Sequence, residues 1–251
     1  MSGHNKWSTI KHKKGAADAK RGQLFTKLIK EITLAARLGG GDIGGNPRLR
    51  QAIQTAKQNS MPSENIERAI KKGTGELEGA AIEEISYEGY GPAGIAVIIE
   101  TTTDNRNRTT AEIRHILSRN GGAMGEHGCV SWGFDRKGVI YLDASKYNED
   151  DIMTMGLEIE GFDDVETQGE DLLVYTDMTA LYSVREELVK NGVEPKDAKL
   201  EMIPQQKKLL TGKEAEQALR LVEKLEENDD VQTVYSNFDI DDAEMEKLME
   251  G

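Results

Sequence analysis

The sequence predicts an α+β protein of three domains, in which an N-terminal three-helix bundle is followed by two ferredoxin-like α+β domains, one inserted in the other. Three observations support this prediction. Apolar residues repeat every three to four positions before Gly79, and alternate or form short continuous runs after it. A β-α-β-β-α-β order then occupies about 65 residues. The length of 251 residues allows one to three domains.

The first domain, residues 1–80, is predicted to contain three helices after a basic arm. The first helix begins near Asp18 and ends at the glycine-rich run 39–45, which cannot be regular. Asn46 caps the second helix, and Gly73 ends the third. Because the third helix opens with glutamates, which would face phosphates unfavourably, a packing unit is favoured over a base-reading helix-turn-helix.

The two α+β domains are predicted from the order of strands and helices that follows. The first takes residues 81–135 together with 204–251, because the last helix and strand would otherwise lack partners. The inserted ferredoxin-like domain takes residues 136–203. The predicted elements of the first of these domains are strands 83–87, 94–101 and 130–134, helix 109–120, and the returning helix 212–226 and strand 232–235.

The distribution of charge indicates a nucleic-acid partner although the net charge of −13 argues against one. Residues 1–80 hold 15 Lys+Arg and 7 Asp+Glu, a net of +8. Residues 81–251 hold 17 Lys+Arg and 38 Asp+Glu, a net of −21. Since salt screens each field within about 8 Å, a basic head is able to bind phosphates beside an acidic body. The alternative is an acidic protein whose head is basic by coincidence.

The segment from Gly3 to Arg21 combines cations with one tryptophan and has few apolar residues to bury. We therefore predict an arm that contacts nucleic acid, with cations on phosphate and the indole stacked on a base or sugar. The alternative is a disordered tail that stays disordered. The predicted nucleic-acid-binding residues of the arm and the helix after it are Lys6, Trp7, Lys11, His12, Lys13, Lys14, Lys20, Arg21 and Lys27.

A second predicted contact follows the apolar strand 94–101. Arg106, Asn107 and Arg108 lie where a helix begins, and the positive end of a helix dipole favours an anion. Arginine and asparagine at such a position suit phosphates or base edges. The alternative is ordinary helix capping by Asn107 or Thr109. The residue types alone do not separate the two interpretations.

Other motifs favour a protein without catalysis, metal or cofactor. Residues 89–94 match G-x-G-x-x-G but join two strands and contain proline, so a hairpin is predicted there. The four histidines lack the spacing of a metal site, and no common catalytic motif is present. One cysteine, no apolar leader and no spanning run predict a cytoplasmic protein. The alternatives are an enzyme acting in the cleft between the α+β domains, or an adaptor that binds proteins through its acidic surface.

Several short segments also carry a family resemblance. They are residues 3–7 (GHNKW), 10–14 (IKHKK), 18–22 (DAKRG), 25–27 (FTK), 39–42 (GGGD), 46–50 (NPRLR), 87–92 (YEGYGP) and 103–109 (TDNRNRT). In this order they resemble the YebC/PmpR family, which includes the mitochondrial translational activator of cytochrome c oxidase. The resemblance covers essentially the whole chain.

The resemblance implies a helical N-terminal domain and two α+β domains, as the residue patterns also predict. It implies a regulator of gene expression, since family members are known as DNA-binding transcriptional regulators and as ribosome-associated translation factors that ease synthesis of proline-rich stretches. It also favours a functional role for residues 104–109. We expect RNA or the ribosome as the target, because an extended basic arm with one aromatic suits irregular RNA better than a duplex groove.

Overall fold

A computed structural model describes residues 17–250, without the side chains of residues 17–20, 242, 249 and 250. In chain order the helices and strands are α1 (Ala17–Gly39), α2 (Pro47–Gln58), α3 (Ser63–Gly73), β1 (Glu83–Tyr90), β2 (Ala96–Thr103), α4 (Arg106–Arg119), β3 (Ala123–Met124), β4 (Phe134–Asp143), α5 (Glu149–Gly156), β5 (Phe162–Gln168), β6 (Asp171–Thr176), α6 (Leu181–Lys190), β7 (Asp197–Pro204), β8 (Lys208–Leu209), α7 (Gly212–Glu226), β9 (Val231–Ser236), β10 (Phe238–Asp239) and α8 (Asp242–Glu250).

The first three helices form a bundle with its own core. Ile32 of α1, Leu49 of α2 and Ile66 of α3 are all buried in it. The side chain of Asn46 accepts the backbone N–H of Leu49, so the predicted cap of α2 is present. Apolar spacing of three to four residues on each helix produces this shared interior.

A four-stranded antiparallel sheet in the order β3-β1-β2-β9 follows the bundle. Helices α4 and α7 cover one face, where Ile99, Ile113 and Leu221 are fully buried. Residues 89–94 close the β1–β2 hairpin, as predicted. The late elements α7 and β9 complete this layer, and β9 pairs with β2.

The second four-stranded sheet has the order β5-β6-β4-β7 and is antiparallel throughout. Its connectivity is β-α-β-β-α-β, with α5 and α6 packed on one face over Ile140, Leu142 and Val174. This is the ferredoxin-like arrangement. The first sheet differs in connectivity, ββαβαβ, because its β1–β2 hairpin precedes its first helix. The free faces of the two sheets meet at Ile98 and Phe134.

The α+β class is confirmed, and one predicted strand is wrong. Residues 130–134 do not form a strand: Ser131–Gly133 is a 3₁₀ turn, and β4 begins at Phe134. The reason is that the Glu88 carboxylate accepts the backbone N–H groups of Val130 and Ser131, which a neighbouring strand would otherwise bind. The predicted domain boundaries themselves stay a prediction. Among residues 17–250, no helix has the length and apolar character required to cross a membrane.

Candidate nucleic-acid interface

Helix α1 binds the C-terminal end of α7 through a row of polar side chains. Gln23 Nε2 donates to the carbonyl of Glu227, and Lys27 Nζ donates to the carbonyl of Glu226, both at 2.8 Å. Lys30 Nζ donates to the carbonyl of Asp229 at the same distance. The last carbonyls of a helix lack partners within it and carry the negative end of its dipole, so ammonium groups stabilise them.

Lys27 is therefore bound within the fold. Burial lowers the pKa of its ammonium, while the nearby carboxylates of Glu226 and Asp229 oppose that shift. A cation that is half-buried and already hydrogen-bonded gains less from a phosphate than an exposed one does. The predicted contact of Lys27 with nucleic acid stays a prediction.

Asp230 is the point where three parts of the molecule meet. Its carboxylate, 3% exposed, accepts hydrogen bonds from Lys30 Nζ of α1 at 2.5 Å and from Arg108 Nη2 of α4 at 2.8 Å. The hydroxyl of Thr109 donates to it at 2.6 Å, and the hydroxyl of Thr103 lies 3.3 Å away. Burial raises the pKa of Asp230, but these hydrogen bonds outweigh it and hold the pKa at about 2.

The predicted anion position at the start of α4 is thus occupied by the protein's own carboxylate. Arg108 binds Asp230 and also Asp104, at 2.9 Å, while its side chain remains 43% exposed. The cap of α4 is Asn105, whose side chain accepts the N–H of Arg108. Asn107 therefore does not cap the helix, and it and Arg106 are exposed.

The outer face of α4 is basic along its whole length of about 21 Å. No exposed residue of this helix is acidic. The eight exposed residues, which we call the α4 face, are Arg106, Asn107, Arg108, Ala111, Arg114, His115, Ser118 and Arg119. Four arginines in eight positions contrast with the net charge of −13 of the chain.

The one carboxylate of α4 points away from this face. Glu112 is half-buried and accepts a hydrogen bond from Asn228 Nδ2 at 2.7 Å. Within the described part of the chain, ion pairs from α4 arginines involve Arg108 alone. The guanidinium groups of Arg106, Arg114 and Arg119 thus face solvent, where a phosphate is able to bind them in bidentate fashion.

Two family models match the chain. The TACO1/YebC protein N-terminal domain matches residues 5–76, and the TACO1/YebC second and third domain matches residues 82–238. The chain belongs to the TACO1/YebC family. The resemblance stated from the short motifs is confirmed.

Family relatives match over nearly full length. A probable transcriptional regulatory protein of Geobacter sulfurreducens is 59% identical over 99% of this chain and 100% of its own length. A protein of the same name from Chloroherpeton thalassium is 57% identical over 99% of both. A crystal structure of a conserved hypothetical protein from Aquifex aeolicus is 48% identical, with a TM-score of 0.84 over 93% of this chain and 96% of that one. The fold described above is therefore that of the family.

The remaining predicted site residues of this family member fall into two groups. Arg21 is exposed on the first turns of α1. Six residues of the arm lie outside the described residues, as does the side chain of Lys20; they are Lys6, Trp7, Lys11, His12, Lys13 and Lys14. Their predicted roles stay predictions.

Sequence reasoning missed Arg114, His115 and Arg119. Helix 109–120 is predicted from its apolar positions, and these say nothing about the polar positions of the same helix. The polar positions include no carboxylate directed to solvent, which is unusual in a segment of net charge −21. A search of the polar side of each predicted helix for a single sign of charge would have identified this face.

The cleft between the two sheets bears on the alternative of an enzyme. It encloses a cavity of about 190 Å³ lined by Glu166, Gln168, Tyr175, Glu201 and Tyr235, among others. These groups largely bind one another or their neighbours: Gln168 Nε2 donates to Glu166, and the hydroxyl of Tyr141 donates to Glu201 at 2.5 Å. Burial raises the pKa of Tyr175 and of Tyr235, so burial activates neither phenol as a nucleophile.

Proposed function

We propose that this protein regulates gene expression by binding nucleic acid, without catalysis, through the α4 face and the basic N-terminal arm. The observation that carries the proposal is the α4 face, where four arginines and a histidine are exposed without an acidic neighbour on the same helix. The names of the relatives, probable transcriptional regulatory proteins, support the same class of function. A cytoplasmic location is part of the proposal.

The electrostatics of the molecule make such a surface selective for polyanions. Over most of residues 81–251 the acidic surface repels a phosphate chain. Because screening confines this repulsion to about 8 Å, attraction at the α4 face is local. A phosphate chain is therefore directed to this helix and away from the rest of the body.

The experiment compares two triple variants that remove the same charge. Arg106→Gln, Arg114→Gln and Arg119→Gln change the α4 face, and Arg185→Gln, Lys213→Gln and Arg220→Gln form the matched control on α6 and α7. Anisotropy of a labelled RNA and of a labelled DNA duplex is measured at physiological salt. We expect the first variant to lose at least about tenfold in affinity and the control to change less than about threefold. Equal losses in both would contradict the proposal.

For the target, we propose RNA on the ribosome over a promoter duplex. An arm with one aromatic among cations suits single-stranded or irregular RNA, whose bases are open to stacking. Positioning of bound RNA or tRNA, without chemistry by a side chain, would be the contribution of the protein to the synthesis of proline-rich stretches.

Sedimentation separates the two targets. On a sucrose gradient of cell lysate, the protein is expected in the ribosomal fractions, and the α4-face triple variant is expected to shift to the top of the gradient. Absence of the wild-type protein from those fractions, together with tight binding to a defined promoter duplex, would favour transcription. Binding to proteins that survives nuclease treatment would favour the adaptor.

A further inference from the structure

Trp132 is the most exposed large apolar side chain among the described residues, at 77%. It lies in the 3₁₀ turn Ser131–Gly133, between β3 and β4. An indole is the largest apolar side chain and is usually well covered in a folded protein. The position is therefore unusual for a residue that serves only the core.

The indole is held in place, together with a second aromatic ring. Trp132 Nε1 donates to the carbonyl of Cys129 at 3.0 Å, and the hydroxyl of Tyr90 donates to the same carbonyl at 3.1 Å. Tyr90 is 45% exposed. Two rings whose polar atoms converge on one oxygen leave much of their remaining surface in solvent. We call this pair the aromatic platform.

The loop that carries the aromatic platform is built on a buried carboxylate. Glu88, whose side chain is 1% exposed, accepts the backbone N–H groups of Gly128, Val130 and Ser131 at 2.8–2.9 Å. Burial raises the pKa of Glu88, but these three hydrogen bonds outweigh it and lower the pKa below its usual value. The ionised carboxylate of Glu88 thus holds the loop in place from the interior of the protein.

A lysine approaches the aromatic platform on one side. The N–H of Gln205 donates to the carbonyl of Gly133, the residue after Trp132, so the segment that leads to Lys207 and Lys208 starts near the platform. Lys208 Nζ donates to the carbonyl of Ala93, in the same hairpin turn as Tyr90, and Lys207 is exposed.

The other side leads to the α4 face. Gly122, three residues after Arg119, passes so close to the hairpin that a Cβ on it would lie 2.5 Å from the carbonyl oxygen of Tyr90. The C-terminal end of α4 therefore lies next to the backbone of Tyr90. The row of arginines on α4 ends near the turn that carries this ring.

We propose that the aromatic platform is a second contact site, which stacks one or two unpaired bases of a single-stranded nucleic acid whose phosphates lie along α4. Stacked aromatic rings beside cations are the usual means of holding single strands without sequence preference. A protein partner would instead be expected to bury aliphatic surface around the rings, and the neighbouring side chains here include lysines. This inference rests on the proposed binding of nucleic acid, and it adds the chemical form of the ligand.

The test uses Trp132 as its own reporter. The chain has two tryptophans, so Trp7→Phe leaves Trp132 as the single source of indole emission. In this background we expect a single-stranded oligonucleotide to quench the emission, and the fully paired duplex of the same sequence to quench it far less. Trp132→Ala should lower the affinity for the single strand about tenfold and the affinity for the duplex less than twofold. Trp132→Phe should retain part of the affinity, because a ring remains.

Leu157→Ala is the matched control. Leu157 is 75% exposed and follows α5, the helix that packs on the second sheet. The inference would be overturned if Trp132→Ala kept its single-strand affinity and the oligonucleotide did not quench Trp132 emission in Trp7→Phe, while the α4-face triple variant still lost binding. If the wild-type protein bound neither form of nucleic acid, the proposed function itself would fail. A normal thermal unfolding curve for each variant excludes misfolding as the cause.

Discussion

Arg108 Nη2 lies 2.8 Å from Asp230 Oδ2, and this ion pair joins the first turn of α4 to the segment between α7 and β9. The same carboxylate also binds Lys30 of the helical bundle. One buried acidic group therefore holds the bundle against the α+β body and fixes the start of the α4 face. Stability and binding are linked at this point.

The first prediction concerns Asp230. Asp230→Asn removes the charge that Lys30 and Arg108 share, and we expect the free energy of unfolding to fall by roughly 2–4 kcal/mol, because partners of a buried pair are left uncompensated. Urea unfolding followed by circular dichroism measures it. Asp104→Asn, which alters an exposed partner of Arg108, is the control and should change the value by less than about 1 kcal/mol.

The second prediction concerns the stability of the folded protein at low pH. The pKa of Asp230 is about 2 in the folded protein and roughly 3.9 in an unfolded chain. A depressed folded pKa contributes stability above the unfolded pKa, and this contribution is lost as pH falls through the folded pKa. Wild-type protein should lose this stability between about pH 4 and pH 2, and Asp230→Asn should not. The prediction would be contradicted if the unfolding midpoints of the two proteins fell equally as the pH is lowered from 4 to 2.

The third prediction separates two arginines of the same helix. Arg108→Ala should lower the free energy of unfolding by roughly 1–2 kcal/mol, since Asp230 loses a charged donor. Arg114→Ala should leave stability within about 0.5 kcal/mol, because Arg114 is exposed. Arg114→Ala should weaken binding to RNA about five- to tenfold, and Arg108→Ala by less, because Arg108 is already paired with Asp104 and Asp230. Thermal unfolding and anisotropy on the same samples provide the comparison, and a stability loss in Arg114→Ala would count against the described geometry.

The fourth prediction concerns the loop that carries Trp132. Glu88→Gln replaces a carboxylate by an amide whose NH₂ group faces backbone donors, so we expect a loss of roughly 1–3 kcal/mol in the free energy of unfolding. Amide hydrogen exchange at Gly128, Val130 and Ser131 should accelerate, and by more than exchange in α1. Glu126→Gln, an exposed neighbour, is the control. Unchanged exchange at the three amides would show that Glu88 does not hold the loop.

The fifth prediction concerns the arm. Removal of residues 1–16, which lie before α1, should leave the unfolding transition unchanged and weaken binding to nucleic acid. On duplex DNA, the slope of log affinity against log salt should become shallower by about 0.9 for each phosphate that the arm neutralises in the full-length protein. Full affinity and an unchanged slope in the truncated protein would exclude the arm from the interface.

Sequence reasoning identified most helices and strands because their signals are local. The spacing of Ile113 and Leu117 marks the inner side of α4, and Asn46 marks the start of α2, each from residues close in the chain. The strand predicted at 130–134 was wrong since its backbone partner is Glu88, 42 residues away from Val130. Such a partner leaves no local pattern.

The candidate interface likewise combines residue types that the sequence shows with pairings that only the fold creates. The residue types at 106–108 are visible in the sequence, but the role of Arg108 depends on Asp230, 122 residues further along the chain. Lys27 is predicted to bind nucleic acid, and its acceptor within the fold, the carbonyl of Glu226, is 199 residues away. Neither pairing has a periodicity that a reader of the sequence is able to detect.

The sequence by itself determined the α+β class, the basic head on an acidic chain and the family, because composition, periodicity and short motifs belong to neighbouring residues. Only the tertiary structure decided which of the described cations are bound and which are exposed, since hydrogen bonds to Asp230 and to the end of α7 join distant parts of the chain. It also placed Trp132 and Tyr90 on one carbonyl, and it left the exposed side of α4 free of carboxylates. Charge is a property of residues, whereas its availability to a ligand depends on what the fold brings beside it.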